Sequence, residues 1–235
     1  MVIPVFNEQD NLVALIEELE GVLKSLGRTF EVICVDDKST DKSVDVLASL
    51  GKTRPYLRVV RHRVNCGESA AQASGFHAAR GAVIITMDAD LQNDPADIPR
   101  LLENLDAGTA SVCGVRGKRE DRAIRRFSSR VANAFRNAVT GDRITDAGCT
   151  FRAIRGSALS ELPVFNGLHR FLPTILRFQG FQVKELKVNH RPRTRGVSKY
   201  GVGNRMWRGI RDCMAMRWYR ARSVPADRIV RDDQH

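Results

Sequence analysis

Two carboxylates spaced by one residue, Asp88 and Asp90, follow directly on the run Val83-Ile84-Ile85-Thr86-Met87. In extended backbone, residues i and i+2 point the same way. That sets the two acids about 6–7 Å apart on one side of the chain. They repel each other unless a cation lies between them. With no His or Cys adjoining in sequence, such hard oxygen ligands suit Mg²⁺ or Mn²⁺ and, through the metal, a diphosphate. A competing reading makes one of the two a cap for the helix opened by Asp94-Pro95. A lone pair of this spacing does not separate the two readings.

The elements around the pair must decide. The run before it is short, β-branched and not alternating, which reads as a strand buried on both faces. Strand patterns also occupy residues 2–6, 30–35, 57–60 and 110–115, each of the first three followed by a polar cluster and then a helical pattern. Leu12, Leu15, Ile16, Leu19, Leu23 and Leu26 recur at helical spacing, with Asn7 as the expected cap and Gly27 as the stop. Pro4 removes a ladder donor from the first strand, which is awkward in the middle of a sheet. Asn65-Cys66-Gly67-Glu68-Ser69 opens a small-residue helix that Gly81 closes. Strand and helix alternating in this way predict an α/β fold, a doubly wound and mostly parallel sheet with helices on both faces. The strand tips then line one crevice, where such sheets bind ligands.

After Gly117 the chain turns basic, with Arg116, Lys118, Arg119, Arg122, Arg125, Arg126, Arg130 and Arg136 close together. Further on come Thr145–Ile154, an alternating strand over 180–188, and a cluster of Arg191, Arg193, Arg195 and Lys199 ahead of a helix. The expected division is a nucleotide-binding α/β domain over 1–200, a basic amphipathic helix over 201–222 and a frayed tail over 223–235. Met206, Trp207, Ile210, Cys213 and Met214 share a face of that helix, with Arg205, Arg208, Arg211 and Arg220 around it. Two readings stand for it: an interfacial helix on an anionic membrane surface, or a helix packed on its own domain or on a second subunit.

The 235 residues carry 38 Lys and Arg against 27 Asp and Glu, a net charge of +11. A surface of this kind attracts nucleic acid, anionic lipid or phosphorylated small molecules. The five cysteines are scattered, without a CxxC pair, and predict reduced, mostly buried thiols in a cytosolic compartment. No apolar run is long enough for a transmembrane helix, and no signal peptide is expected. Because Met1 leads directly into a strand, that strand is expected to begin upstream.

Five motifs in order, VIPVFNE, VDDKSTD, MDADLQ, DAGCTFRAI and HRPRTRGVSKYG, resemble the family 2 glycosyltransferases of GT-A fold. They are most similar to the polyprenyl-phosphate branch, exemplified by dolichyl-phosphate mannosyltransferase and the bactoprenol glucosyltransferases. The resemblance covers residues 2–203. It implies transfer of a hexose from a nucleotide diphosphate sugar, of GDP-mannose or UDP-glucose type, to a polyprenyl or dolichyl phosphate at the cytoplasmic face of the membrane. It implies Asp88, Asp90 and Gln92 as ligands of Mg²⁺ or Mn²⁺. It assigns Pro4, Asn7, Glu8, Asp36 and Asp37 to the nucleoside, and Arg193 with Lys199 to the pyrophosphate. Arg116 and Arg130 fall to the acceptor phosphate, and Asp146 to the reaction centre beside Asp90 and Arg193. The QxxRW motif of processive synthases is absent, since Met214 precedes Arg217-Trp218. The two transmembrane helices of the bactoprenol enzymes are missing too, so a membrane-anchoring partner protein or a homodimer is the expected company.

The residues fit that chemistry. A phosphate monoester is mostly ionised at neutral pH, so the nucleophile needs positioning more than deprotonation, and in-line attack would invert the anomeric carbon. His62 and His77 are expected away from the strand tips, and His169 and His190 outside the sheet core, leaving few general bases. The rivals are weaker. A phosphohydrolase using a DxD nucleophile places that strand near the N-terminus. Another is a family 2 enzyme with a sugar or protein acceptor. A nucleic-acid module lacks an aromatic recognition motif, so nucleic acid is not an expected partner. No GxGxxG follows the first strand, against a dinucleotide-dependent oxidoreductase.

Overall fold

The computed structural model describes residues 1–117, 123–160, 162–192 and 205–223, with backbone alone at 123–131 and 205–208. Arg193, Gly196, Ser198 and Lys199 lie outside the described residues, as does the tail beyond 223, and Arg130 falls where only backbone is described. The chain alternates β1 (Val2–Val5), α1 (Leu12–Ser25), β2 (Val32–Asp36), α2 (Ser43–Gly51), β3 (Leu57–Arg61), α3 (Glu68–Ala78), β4 (Val83–Thr86), α4 (Ile98–Glu103) and β5 (Thr109–Arg116). It continues through α5 (Ala123–Thr140), β6 (Arg152–Arg155), α6 (Leu168–Phe178), β7 (Gln182–Val188) and α7 (Arg205–Arg222).

The strands form one sheet in the order β3-β2-β1-β4-β6-β5-β7. Strand pairing is parallel except at β6, which runs against both β4 and β5. Strand order reverses direction between β1 and β4, and a crevice opens there beyond the strand tips. The pairing of β1 with β4 is confined to Val2 against Thr86. This resolves the difficulty of Pro4. The carbonyls of Met1 and Val5 bond toward β2, while that of Val2 accepts Met87 N from the β4 side. Pro4 therefore turns its missing N–H toward β4, where the ladder has already ended.

Alternation along the buried strands divides the core between two faces. Ile3, Val5, Val32 and Cys34 pack with Leu12, Leu15, Ile16 and Leu19 of α1, all fully buried. Ile33 and Val35 face α3. A Cβ at Gly75 of α3 would lie 2.2 Å from Val2 Cγ1, so this helix sits directly on β1 and only glycine fits. A second cluster joins Ala110, Cys113 and Ile154 to Leu168, Phe171 and Leu172 of α6 and to Cys213 and Met216 of α7. Around it, Asp142 is held by Thr174, Arg136 and Arg177, tying α6 to α5.

Two expectations change. α1 begins at Leu12 rather than after Asn7, and the Asn11 side chain at its start bonds Glu8 Oε2 at 2.7 Å instead of capping the helix. In α7, Cys213 is turned into the protein while Met214 is 55% exposed, so the two do not share a face. The inward stripe is Cys213 with Met216, and the outward one is Met214 with Trp218, which is 65% exposed. Asp212 also binds Arg170 at 3.1 Å. The reading in which the helix packs on its own domain therefore holds for the first stripe. No described helix is long and apolar enough to cross a membrane.

Candidate functional site

The tips of β1, β2 and β4 share an unusual backbone. Asn7, Lys38 and Leu91 each have positive φ, at 55°, 64° and 59°. Asparagine tolerates this region, but lysine and leucine do so at a cost that the surroundings must offset. Each turn redirects a polar group at its strand tip.

At the β1 tip, Asn7 Oδ1 accepts Thr40 N at 2.7 Å, and its Nδ2 donates to Thr40 Oγ1 at 3.1 Å. The side chain thus staples β1 to the loop after β2. Glu8 N donates to Ser43 Oγ. At the β2 tip, Asp36 is buried and accepts Ser39 N. Asp37 is held on every side. Its Oδ1 accepts Cys66 N at 2.8 Å and lies 2.7 Å from His62 Nδ1, while Oδ2 accepts Gly67 N at 2.7 Å. His62 Nε2 lies 2.8 Å from Ser74 Oγ.

Beyond β4, Met87 and Ala89 are buried and Asp88 and Asp90 emerge between them. Asp88 Oδ1 accepts Thr150 Oγ1 at 2.7 Å. Burial first, and the charge of Asp90 second, push the Asp88 carboxyl above its ordinary value. Asp90 Oδ1 accepts Gln92 N at 3.1 Å, a contact that left-handed Leu91 makes possible. The Gln92 amide nitrogen is turned toward His190 Nε2 and the Arg191 carbonyl. The competing capping reading for Asp88 and Asp90 fails, because Asp94 itself caps the following turn through Ala96 N. Hard oxygen donors whose mutual repulsion raises a pKa are what a divalent cation would relieve, so these residues fit such an ion.

On the far side of the crevice, Asp146 holds Arg116 in a bidentate fork, Oδ2 to Nε and Oδ1 to an Nη, both at 2.7 Å. The loop that carries Asp146 also carries Thr150, so one short segment touches both Arg116 and Asp88.

One histidine departs from expectation. His62 directly follows β3 and binds Asp37, because β3 lies next to β2. His190, past the end of β7 and outside the sheet core as expected, bridges to Asn93 in the loop after Asp90. His169, at the start of α6, lies 3.6 Å from Glu68 Oε2. Among the described histidines only His77 is exposed, and it lies away from the tips, as expected. Sequence reasoning also passed over Glu68, Thr150 and Arg152. Burial and Asp88 together raise the Glu68 pKa to about 8. Arg152, 1% exposed, donates to the carbonyls of His169 and Cys149, both at 2.7 Å. An arginine inside a strand pattern was the available signal, since a buried charge needs partners.

A family model described as "Glycosyl transferase family 2" matches residues 1–163. The undecaprenyl-phosphate 4-deoxy-4-formamido-L-arabinose transferase of Edwardsiella ictaluri is 37% identical over 204 residues, covering 86% of this chain and 62% of that protein. The dodecaprenyl-phosphate galacturonate synthase of Rhizobium johnstonii is 34% identical over 224 residues, covering 93% of this chain and 66% of its own. The chain thus spans about three fifths of the length of these curated relatives. Among solved structures, glucosyl-3-phosphoglycerate synthase from Mycobacterium tuberculosis, in complex with Mn²⁺, uridine diphosphate and glucosyl-3-phosphoglycerate, superposes with a TM-score of 0.69 at 18% identity, covering 96% of this chain and 80% of that one. A mannosyltransferase from Pyrobaculum calidifontis, in complex with GDP-mannose and Mn²⁺, gives 0.62 at 18% identity over 94% and 62%. At such identities the likeness is one of fold, the GT-A arrangement.

Proposed function

The chain belongs to glycosyl transferase family 2, and on that premise we propose that it transfers a sugar, with inversion and with a divalent cation, from a nucleotide diphosphate sugar to a polyprenyl phosphate. The observation that carries this reading is the loop from Asp146 to Thr150, which braces a carboxylate suited to a metal on one side and an arginine suited to a phosphate on the other. The two relatives named above, which are named for undecaprenyl and dodecaprenyl phosphate, support that acceptor.

In this reading Asp88 and Asp90, with Gln92, hold Mg²⁺ or Mn²⁺. When bound, the ion would supply charge neutralisation for the departing nucleoside diphosphate. Asp37, fixed by Cys66 N, Gly67 N and His62, presents a rigid acceptor edge to the base. Pro4, Asn7, Glu8 and Asp36 shape the adjoining walls, and Arg193 and Lys199 are assigned to the diphosphate. Arg116, oriented by Asp146, and Arg130 take the acceptor phosphate. An oxygen of that phosphate attacks the anomeric carbon. The new C–O bond forms as the bond to the diphosphate breaks, and the electron pair leaves with the diphosphate. A monoester with a second pKa around 6 is already ionised, so no side chain has to take a proton. Asp146 is a positioning residue here, because both its oxygens hold Arg116.

The enzyme would work as a peripheral protein on the cytoplasmic membrane face. The outward stripe of Met214 and Trp218, with Arg211 and Arg217 exposed beside it, suits an anionic lipid surface. A membrane-anchoring partner or a second copy fits the same place.

The test is titration calorimetry with GDP-mannose, UDP-glucose and UDP-N-acetylglucosamine, each with and without Mn²⁺, alongside Asp90→Ala. The expected result is binding of one donor that requires Mn²⁺ and weakens at least about a hundredfold in the variant. Transfer to undecaprenyl phosphate is then measured with the donor that binds. Binding of no donor under either condition would sink the transferase reading.

A further inference from the structure

One acidic side chain in the crevice has no part in the reaction above. Glu68 is the first residue of α3 and follows Gly67, whose N–H is bound to Asp37. Its carboxylate is half-buried, and of all nearby charges it feels Asp88 most strongly. Its Oε2 lies 3.6 Å from His169 Nε2, beyond hydrogen-bond distance.

The state of His169 follows from its other nitrogen. Ser69 Oγ accepts Gly167 N at 2.9 Å and lies 2.7 Å from His169 Nδ1. With its two lone pairs taken by Gly167 N and His169 N, the hydroxyl gives its proton to Nδ1, which assigns the ring proton to Nε2. Burial, with Arg170 and Arg152 close by, pushes the imidazole pKa down to about 3, so the ring is neutral. It presents an N–H toward Glu68 without closing a bond.

Two further polar groups here are incomplete. Arg152 is 1% exposed, its charge acts on both Asp88 and Glu68, and its Nε–H has no hydrogen-bond partner. Gln72, one turn along α3 from Glu68, is also 1% exposed, and neither of its amide atoms has a partner. These atoms are enclosed by the protein and lie out of a ligand's reach. What comes next to the metal position in a nucleotide sugar is either an anionic diphosphate or an uncharged, hydroxyl-rich ring. A carboxyl group offers the first no positive charge, whereas it both donates to and accepts from the hydroxyls of the second. The adjoining Nε2–H of His169 matches the oxygen lone pairs of the same hydroxyls.

We propose that Glu68 is a specificity-determining residue for the donor, its carboxyl group exchanging hydrogen bonds with hydroxyls of the transferred sugar beside the Nε2–H of His169. The proposal rests on the transferase reading and goes beyond it, since it separates recognition of the sugar from recognition of the nucleotide.

The experiment compares UDP with UDP-glucose and UDP-galacturonate, and GDP with GDP-mannose, by calorimetry in Mn²⁺. The full chain, Glu68→Gln and Glu68→Ala are used, with circular dichroism checking the fold of each. Both variants should bind the diphosphate within about twofold of the parent. Glu68→Ala should bind the matching nucleotide sugar at least about tenfold more weakly, because a site built for a hydroxyl loses discrimination with its acceptor. Glu68→Gln, which keeps one acceptor oxygen, should lose less and change the ranking of sugars. An equal loss for diphosphate and nucleotide sugar would overturn the proposal, and so would no loss for either. If the parent chain binds neither diphosphates nor nucleotide sugars, the transferase reading falls and this inference falls with it.

Discussion

Glu68 ties the site's chemistry to its proton content. Its ordinary carboxyl value is 4.5, and in the folded chain burial and Asp88 raise it to about 8. Between those values the folded state binds more protons than the unfolded one, so stability falls as pH rises through that window. Glu68→Gln removes this dependence. Thermal melts without metal should give similar Tm values for parent and variant near pH 5. Near pH 8.5 the variant should melt higher by several degrees, a range in which a chain of this size shifts about 2–4 °C per kcal/mol. A variant that tracks the parent at both pH values would refute the assignment. The acid pair Asp88 and Asp90 was legible in the sequence because a strand pattern ran straight into it. Glu68 and His169 were not. Ser69 bonds a histidine 100 residues away, and nothing local in either segment announces that meeting.

At the scale of elements, α3 carries the most constraint. Its N-terminal residues reach Asp37 and His169, and its Gly75 rests on Val2 of β1. Gly75→Ala gains helix propensity yet forces the helix off the strand. It should destabilise by about 1–3 kcal/mol in urea unfolding and should weaken donor binding as well, since the same helix positions the crevice wall. A stability gain would mean that the helix can shift freely. The strands, the α1 stripe and the parallel order were readable from period and punctuation. The reversal of β6 was not, because Arg-Ala-Ile-Arg fits either direction and only its partners β4 and β5 decide. The faces of α7 were misassigned for a related reason: periodicity groups residues into stripes but does not say which stripe meets Leu168 and Phe171.

For the molecule as a whole, the excess of basic residues gives +11, and Met214 and Trp218 stand out from α7 among exposed arginines. Co-sedimentation with vesicles containing anionic phosphatidylglycerol should exceed that with neutral phosphatidylcholine vesicles and should fall as salt is raised. Met214→Ser with Trp218→Ser should reduce it severalfold without changing Tm by more than about 2 °C. Equal binding to both vesicle types would contradict an electrostatic approach to the membrane.

The loop from Asp146 to Thr150 has one further consequence. It grips Arg116 at one end and Asp88 at the other, so whatever orders one end alters the other. If Asp88 serves the donor and Arg116 the acceptor, as proposed, the two ligands are linked thermodynamically, and linkage is reciprocal. The factor by which saturating nucleotide sugar changes the acceptor's Kd must equal the factor by which acceptor changes the donor's. Thr150→Val, which unfastens the Asp88 end while keeping the side chain's shape, should bring both factors toward unity together. Two ligands that still sense each other through the altered loop would place their communication elsewhere in the sheet.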